Sequence, residues 1–180
     1  MNQVESIELE RLNFYRASEL HGGMVLGQLA RRVRDPELIV ELTRHSAEEV
    51  VHAHLWTETL LALGGVPTPV RDTYQARYAR ALGAPGSLLQ VLALTQVFER
   101  RVFRHFHLHL GLPGTHPRVR ETLERMVEEE KHHLSWVKRW LDRQSEKRGH
   151  EVRRTLSRYA HVDALIYQRL LDEYAFRRAA

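Results

Sequence analysis

A chain of 180 residues is long enough to bury one domain-sized core without covalent staples. Cysteine is absent, which excludes disulfides, thiolate nucleophiles, zinc–thiolate sites and iron–sulfur clusters, and leaves His, Asp and Glu as the strong metal ligands. The 27 Lys+Arg against 23 Asp+Glu give a formal charge of only +4, which demands no nucleic-acid partner; no apolar run reaches the roughly eighteen residues that span a bilayer, and the opening residues lack an export signal, so the expected location is the cytoplasm.

Glycine and proline clusters divide the chain into stretches of helical period. The first helix is expected over 4–33, with Leu12, Tyr15, Glu19, Gly23, Leu26 and Ala30 on one stripe. Asp35-Pro36 opens a second over 36–63, because proline suits the first helical turn. The run Gly64 to Pro69 ends it, and Arg71 to Leu82 reads as a short helix, since Tyr74, Tyr78 and Leu82 recur every fourth residue. A third long helix is expected over 86–110, with Leu92, Thr95, Glu99, Val102 and Phe106 on its stripe. After Gly111 to Gly114, Pro117 opens a fourth over 117–146, and Gly149 separates a fifth over 150–178, with Val152, Leu156, Tyr159, Val162, Ile166 and Leu170 on a broad apolar face. Nothing alternates as a strand. The expected fold class is therefore all-α: an antiparallel four-helix bundle over 1–146 with a long crossover between helices two and three, plus a C-terminal helix in 147–180 packed on the bundle or on a second copy in a homodimer, a single domain overall.

A weak internal repeat relates the first helix pair to the second. At an offset of 80, Leu9, Leu12 and Glu19 fall on Leu89, Leu92 and Glu99. At an offset of 81, Pro36, Leu42, Glu49 and His52 fall on Pro117, Leu123, Glu130 and His133. Each acid sits mid-stripe, where core packing would choose an apolar residue. Four carboxylates at one level of a bundle require protons or cations, since an unpaired buried charge costs several kcal/mol.

The second and fourth helices add a histidine three positions after the acid, Glu49-Val50-Val51-His52 and Glu130-Lys131-His132-His133. That spacing points both side chains the same way. One Glu from each of two helices and a Glu-x-x-His from each of the others make up the inventory of a dinuclear carboxylate centre: Glu19, Glu49, His52, Glu99, Glu130 and His133. Glu129 with His132 is a rival pair on the fourth helix. Phase favours Glu130 and His133, because Leu123, Val127, Leu134, Val137 and Leu141 define the apolar face around Glu130.

Tyr15, one turn before Glu19, is a candidate catalytic group that could hydrogen-bond a ligand or donate an electron; His45, one turn before Glu49, is a candidate extra ligand or proton carrier. Trp56, Trp136 and Trp140 read as packing residues. His105 and His109 share a helix face with His107 opposite, which reads as a surface pair. Gly22-Gly23 points to close helix approach or to space near the acids.

One Glu, a Glu-x-x-His, a second Glu and a second Glu-x-x-His, in this order, resemble the ferritin-like di-iron carboxylate superfamily of rubrerythrins, bacterioferritins and quinone hydroxylases. Glu130-Lys131-His132-His133-Leu134-Ser135-Trp136 resembles the fourth-helix ligand segment of bacterioferritins. The resemblance spans about residues 10–142. It implies two iron ions, or manganese or a mixed pair, that react with dioxygen or peroxide, with a small-molecule substrate or electron donor as further partner. Three departures stand out: no Cys-bearing rubredoxin tail, no ferritin cage signature, and a fifth helix longer than that of a typical bacterioferritin. An oxidoreductase is the leading expectation, a ferroxidase or iron-storage subunit the alternative, and a metal-free helical DNA-binding regulator a distant third, disfavoured because no short exposed recognition helix follows a tight turn.

Overall fold

The computed structural model describes residues 5–176, and within them the chain is all-helical, without a strand. The elements are α1 (Ser6–Ala30), α2 (Pro36–Ala62), α3 (Tyr74–Leu82), α4 (Leu88–Leu110) and α5 (Pro117–Glu173). Among the described residues no helix is long and apolar enough to cross a membrane.

Local chemistry sets the helix ends. Asp35 caps α2, its carboxylate accepting from the Glu37 and Leu38 amides at 3.0 and 3.3 Å ahead of Pro36. Thr73 Oγ1 accepts from the Ala76 amide at 3.3 Å at the start of α3, so that helix begins at Tyr74 rather than at Arg71. Ser87 stands in extended backbone and accepts from the Gln90 amide, so α4 begins at Leu88 and not at 86. His116 takes the cap of α5 through Nδ1, which accepts from the Arg118 amide at 3.1 Å. α1 stops at Ala30, three residues short of expectation, where the Arg32 and Val33 amides converge on the Leu29 carbonyl. The expected outer ends at 4 and 178 lie outside the described residues.

The expected division between the fourth and fifth helices is present as a break in helical backbone within the span labelled α5. Only Arg148 leaves helical backbone inside α5, at φ −147° and ψ 48°. Gly149 follows it, and a glycine in a helix interior costs about 1 kcal/mol relative to alanine, which makes this the cheapest place to break.

The chain divides into two compact units, Met1–Ala76 and Arg77–Ala180. In the first unit α1 packs along α2 in the opposite sense, Tyr15 against Trp56 and Gly23 against Ser46 and Val50. A Cβ on Gly23 would lie 3.0 Å from the Ser46 carbonyl oxygen, and the Ser46 hydroxyl donates to the Gly23 carbonyl at 2.7 Å, so the bare glycine permits this backbone approach. The segment after α2 is held to α1: Asn13 exchanges hydrogen bonds with the Thr68 backbone at 3.1 and 3.2 Å, and the Gln75 amide donates to the Ser18 carbonyl at 2.9 Å. Leu12, Leu42, Trp56 and Leu60 form the core here, each such burial contributing about 1.5–3 kcal/mol.

In the second unit α4 packs against α5. Leu92, Ala93, Phe106, Val119, Leu123, Met126 and Val137 are its innermost side chains. The part of α5 beyond the kink is fastened through one buried acid, Asp163. Tyr78 donates to its Oδ1 at 2.7 Å, and Arg101 closes a two-point ion pair on Oδ2 at 2.7 and 2.6 Å. The Arg101 guanidinium lies 4.2 Å from the centre of the Tyr167 ring, and the Tyr167 hydroxyl meets His105 Nδ1 at 3.0 Å. Burial holds the Tyr167 phenol above its ordinary pKa against the pull of Arg101, with Asp163 adding to the rise.

This network corrects one expectation. His105 and His109 are not a surface pair but are buried, because Tyr167 and Phe176 cover them; the Phe176 ring sits 4.3 Å from His105 and 5.4 Å from His109. His107 is exposed.

Candidate metal centre

On α1 the helical stripe turns Tyr15, Glu19 and Gly23 inward together, and all three are buried. On α2 the same periodicity buries His45, Glu49, His52 and Trp56, none more than 1% exposed. His45 Nε2 lies 3.0 Å from Glu49 Oε1, one turn away on the same face. His52, three residues on, offers a ligand atom within 4.8 Å of one on Glu49. One helix of the first unit therefore presents imidazole, carboxylate and imidazole in a row. Glu19 is buried too but belongs to neither donor group that contains Glu49.

The second unit repeats the arrangement in reduced form. Glu130 and His133 on α5 are fully buried, with His133 Nδ1 3.0 Å from Glu130 Oε2. Glu99 on α4 is buried and brings a ligand atom within 4.8 Å of one on His133. The rival pair faces outward: Glu129 accepts from Arg125 at 2.8 Å on the surface, and His132 is half-buried. The 3.6-residue period accounts for the difference, since one position along a helix rotates a side chain by about 100°.

Two further residues neighbour these acids, Gln96, which the sequence reading passed over, and Gly22, for which it expected space near the acids. Gln96, one turn before Glu99, is buried, and its Oε1 has no hydrogen-bond partner among the described residues. Gly22 is where a Cβ would lie 3.0 Å from Glu49 Oε2 and 3.3 Å from Gln75 Nε2, so its missing side chain leaves space for the carboxylate. A polar residue at i−3 of a mid-stripe acid was the available signal for Gln96; for Gly22 the signal was a glycine pair inside a helix, which the contact with Glu49 bears out.

The donor chemistry is that of a hard or borderline cation, carboxylate oxygen and imidazole nitrogen throughout. The separations also fit. Two ligands about 2.1 Å from one ion and at right angles to each other are about 3.0 Å apart. Both imidazole–carboxylate pairs show that distance. Comparison with family models, curated proteins and solved structures returned no match for this chain.

At the edge of the first unit, His21 Nδ1 meets Thr73 Oγ1 at 2.7 Å, and burial lowers its pKa below the ordinary 6.5. Between its lowered folded value and 6.5 the unfolded chain binds the extra proton, so the stability contributed by neutral His21 is complete above pH 6.5 and is lost as pH falls through the folded value. The variant His21→Gln is expected to show a flatter decline in urea midpoint from pH 7 to pH 5 than the natural chain; parallel declines would show that His21 carries none of the acid sensitivity.

Proposed function

We propose that the chain is a dinuclear metal–carboxylate protein of ferritin-like architecture, its two helix pairs closing as a four-helix bundle on Glu19, Glu49, His52, Glu99, Glu130 and His133. The proposed metals are two iron ions, or manganese or a mixed pair, and the proposed activity is oxidoreduction with dioxygen or peroxide. The observation that carries the reading is the pair of buried acids at repeat-related positions, Glu49 and Glu130, each 3.0 Å from an imidazole nitrogen on its own helix, His45 four residues before Glu49 and His133 three residues after Glu130.

A buried His–Glu ion pair without metal is the competing explanation for either pair alone. It accounts poorly for the ensemble, because Glu99 and His52 bring further donors to the same two acidic positions and every one of them is buried. A bound iron pair supplies redox chemistry toward dioxygen or peroxide at neutral pH. The chain's own residues supply the rest. Glu49 and Glu130 hold charge, and the Trp56 ring packs 5.2 Å from Tyr15, keeping that phenol on the same face as Glu19, where it can donate a hydrogen bond.

Elemental analysis of protein purified from iron-supplemented cells tests the reading. About two ions per chain are expected in the natural protein, and essentially none in a Glu49→Ala/Glu130→Ala variant that keeps its helical circular dichroism. Equal metal in both proteins, or none in either, defeats it.

A further inference from the structure

The two oxygens of Glu49 stand in different surroundings. Oε1 lies 3.0 Å from His45 Nε2 in the interior of the first unit. Oε2 is turned toward α1, where a Cβ on Gly22 would lie 3.0 Å from it and 3.3 Å from the Gln75 side-chain nitrogen. Glu49 is 1% exposed, whereas Gly22 and Gln75 are both half-buried, so about one residue's thickness lies between this carboxylate and solvent.

The amide of Gln75 covers that thin place. Its Nε2 donates to the Ser18 carbonyl at 2.9 Å, which fixes the orientation of the amide, because the reverse orientation would set two acceptor oxygens against each other. Oε1 of the same amide is buried and has no hydrogen-bond partner among the described residues. The residues beside Gln75 are fastened. Thr73 Oγ1 meets His21 Nδ1 at 2.7 Å and accepts from the Ala76 amide at 3.3 Å, and the Tyr74 amide donates to Ser18 Oγ at 3.4 Å. With the backbone held on both sides, the bond to Ser18 decides whether the amide lies over Gly22 or swings away from it.

We propose that the bare backbone at Gly22 is the entry by which divalent cations reach Glu49, and that Gln75 is its gate. A hydrated cation exchanges water for protein oxygens stepwise, and the Gln75 carbonyl oxygen is such a donor at the mouth, ahead of Glu49 Oε2. Gly22 serves the passage because a side chain there would fill it. The proposal rests on the dinuclear reading above and adds the route by which its metals arrive. A gate alters the barrier and leaves the end states alone, so it changes association and release by one factor. A Gln75 that only anchors α3 on α1 would leave the rate of metal entry untouched.

The test is stopped-flow binding of cobalt(II) to the metal-free full chain, followed by visible absorbance, with release measured by a chelator chase. Gln75→Ala is expected to speed association and release alike by about fivefold, the rate equivalent of the roughly 1 kcal/mol that a neutral hydrogen bond contributes, with the dissociation constant unchanged. Gly22→Ala narrows the passage and is expected to slow association while keeping its helical circular dichroism. Opposite shifts in the two variants are a result that misfolding does not produce. Association that is not faster in Gln75→Ala, or not slower in Gly22→Ala, overturns the entry and leaves the dinuclear reading standing. No cobalt bound by the natural protein overturns both.

Discussion

Asp163→Ala is expected to lower the stability of the chain by about 3 kcal/mol or somewhat more, the lower part of the range for breaking a buried ion pair from one side. Asp163 is 2% exposed, and its loss strands two partners at once, the Tyr78 hydroxyl 85 residues earlier and the Arg101 guanidinium. The Arg101 side chain retains 22% exposure, so water recovers part of its solvation, which places the effect at the low end. For a chain of this size the midpoint of thermal unfolding would fall by on the order of 10 °C. Asp163→Asn keeps the shape and an acceptor for Tyr78 while removing the charge, and should fall between the two. A loss below about 1 kcal/mol for the alanine variant, the scale of an exposed pair, would show that the far part of α5 is held by contacts other than Asp163, among them the Arg77–Glu173 ion pair at 2.8 Å and apolar packing.

Metal removal should produce an effect of similar size by a different route. An ion that binds only the folded chain stabilises it in proportion to the logarithm of its excess over the dissociation constant, about 4 kcal/mol at a thousandfold excess. Under the dinuclear reading, chelating the metals should therefore lower the unfolding midpoint of the natural protein by on the order of 10 °C, and restoring iron(II) without oxygen should recover it. The Glu49→Ala/Glu130→Ala variant should be indifferent to both treatments. A natural protein whose midpoint ignores chelator and iron alike would contradict the proposed centre, whatever its metal content after purification.

Much of the arrangement was legible along the chain because it depends on short-range periodicity. Glu49, His52, Glu130 and His133 recur at spacings that a 3.6-residue helix converts into a shared face, and that same period separates Glu130 from Glu129 and His133 from His132. Pro36 and Pro117 mark helix starts for a reason internal to one residue, the fixed backbone angle and missing N–H of proline. His45 was visible as one turn from Glu49, although only the distance between Nε2 and Oε1 gives it a defined relation to that carboxylate.

Residues far apart in the chain required the tertiary structure. Periodicity reports which face of a helix is apolar but carries nothing about which distant side chain will cover it. His105 and His109 therefore read as surface groups until Tyr167 and Phe176, more than sixty positions along, were found against them. Nothing local singles out Asp163, because its partners lie 62 and 85 residues away. By itself the amino-acid sequence determined the helices, their inward faces and the buried acid–imidazole repeat, all set within a few turns of backbone. Only the tertiary structure decided that Tyr167 and Phe176 cover His105 and His109, and that Asp163 ties the far half of α5 to Tyr78 and Arg101, since these depend on contacts that no local spacing encodes.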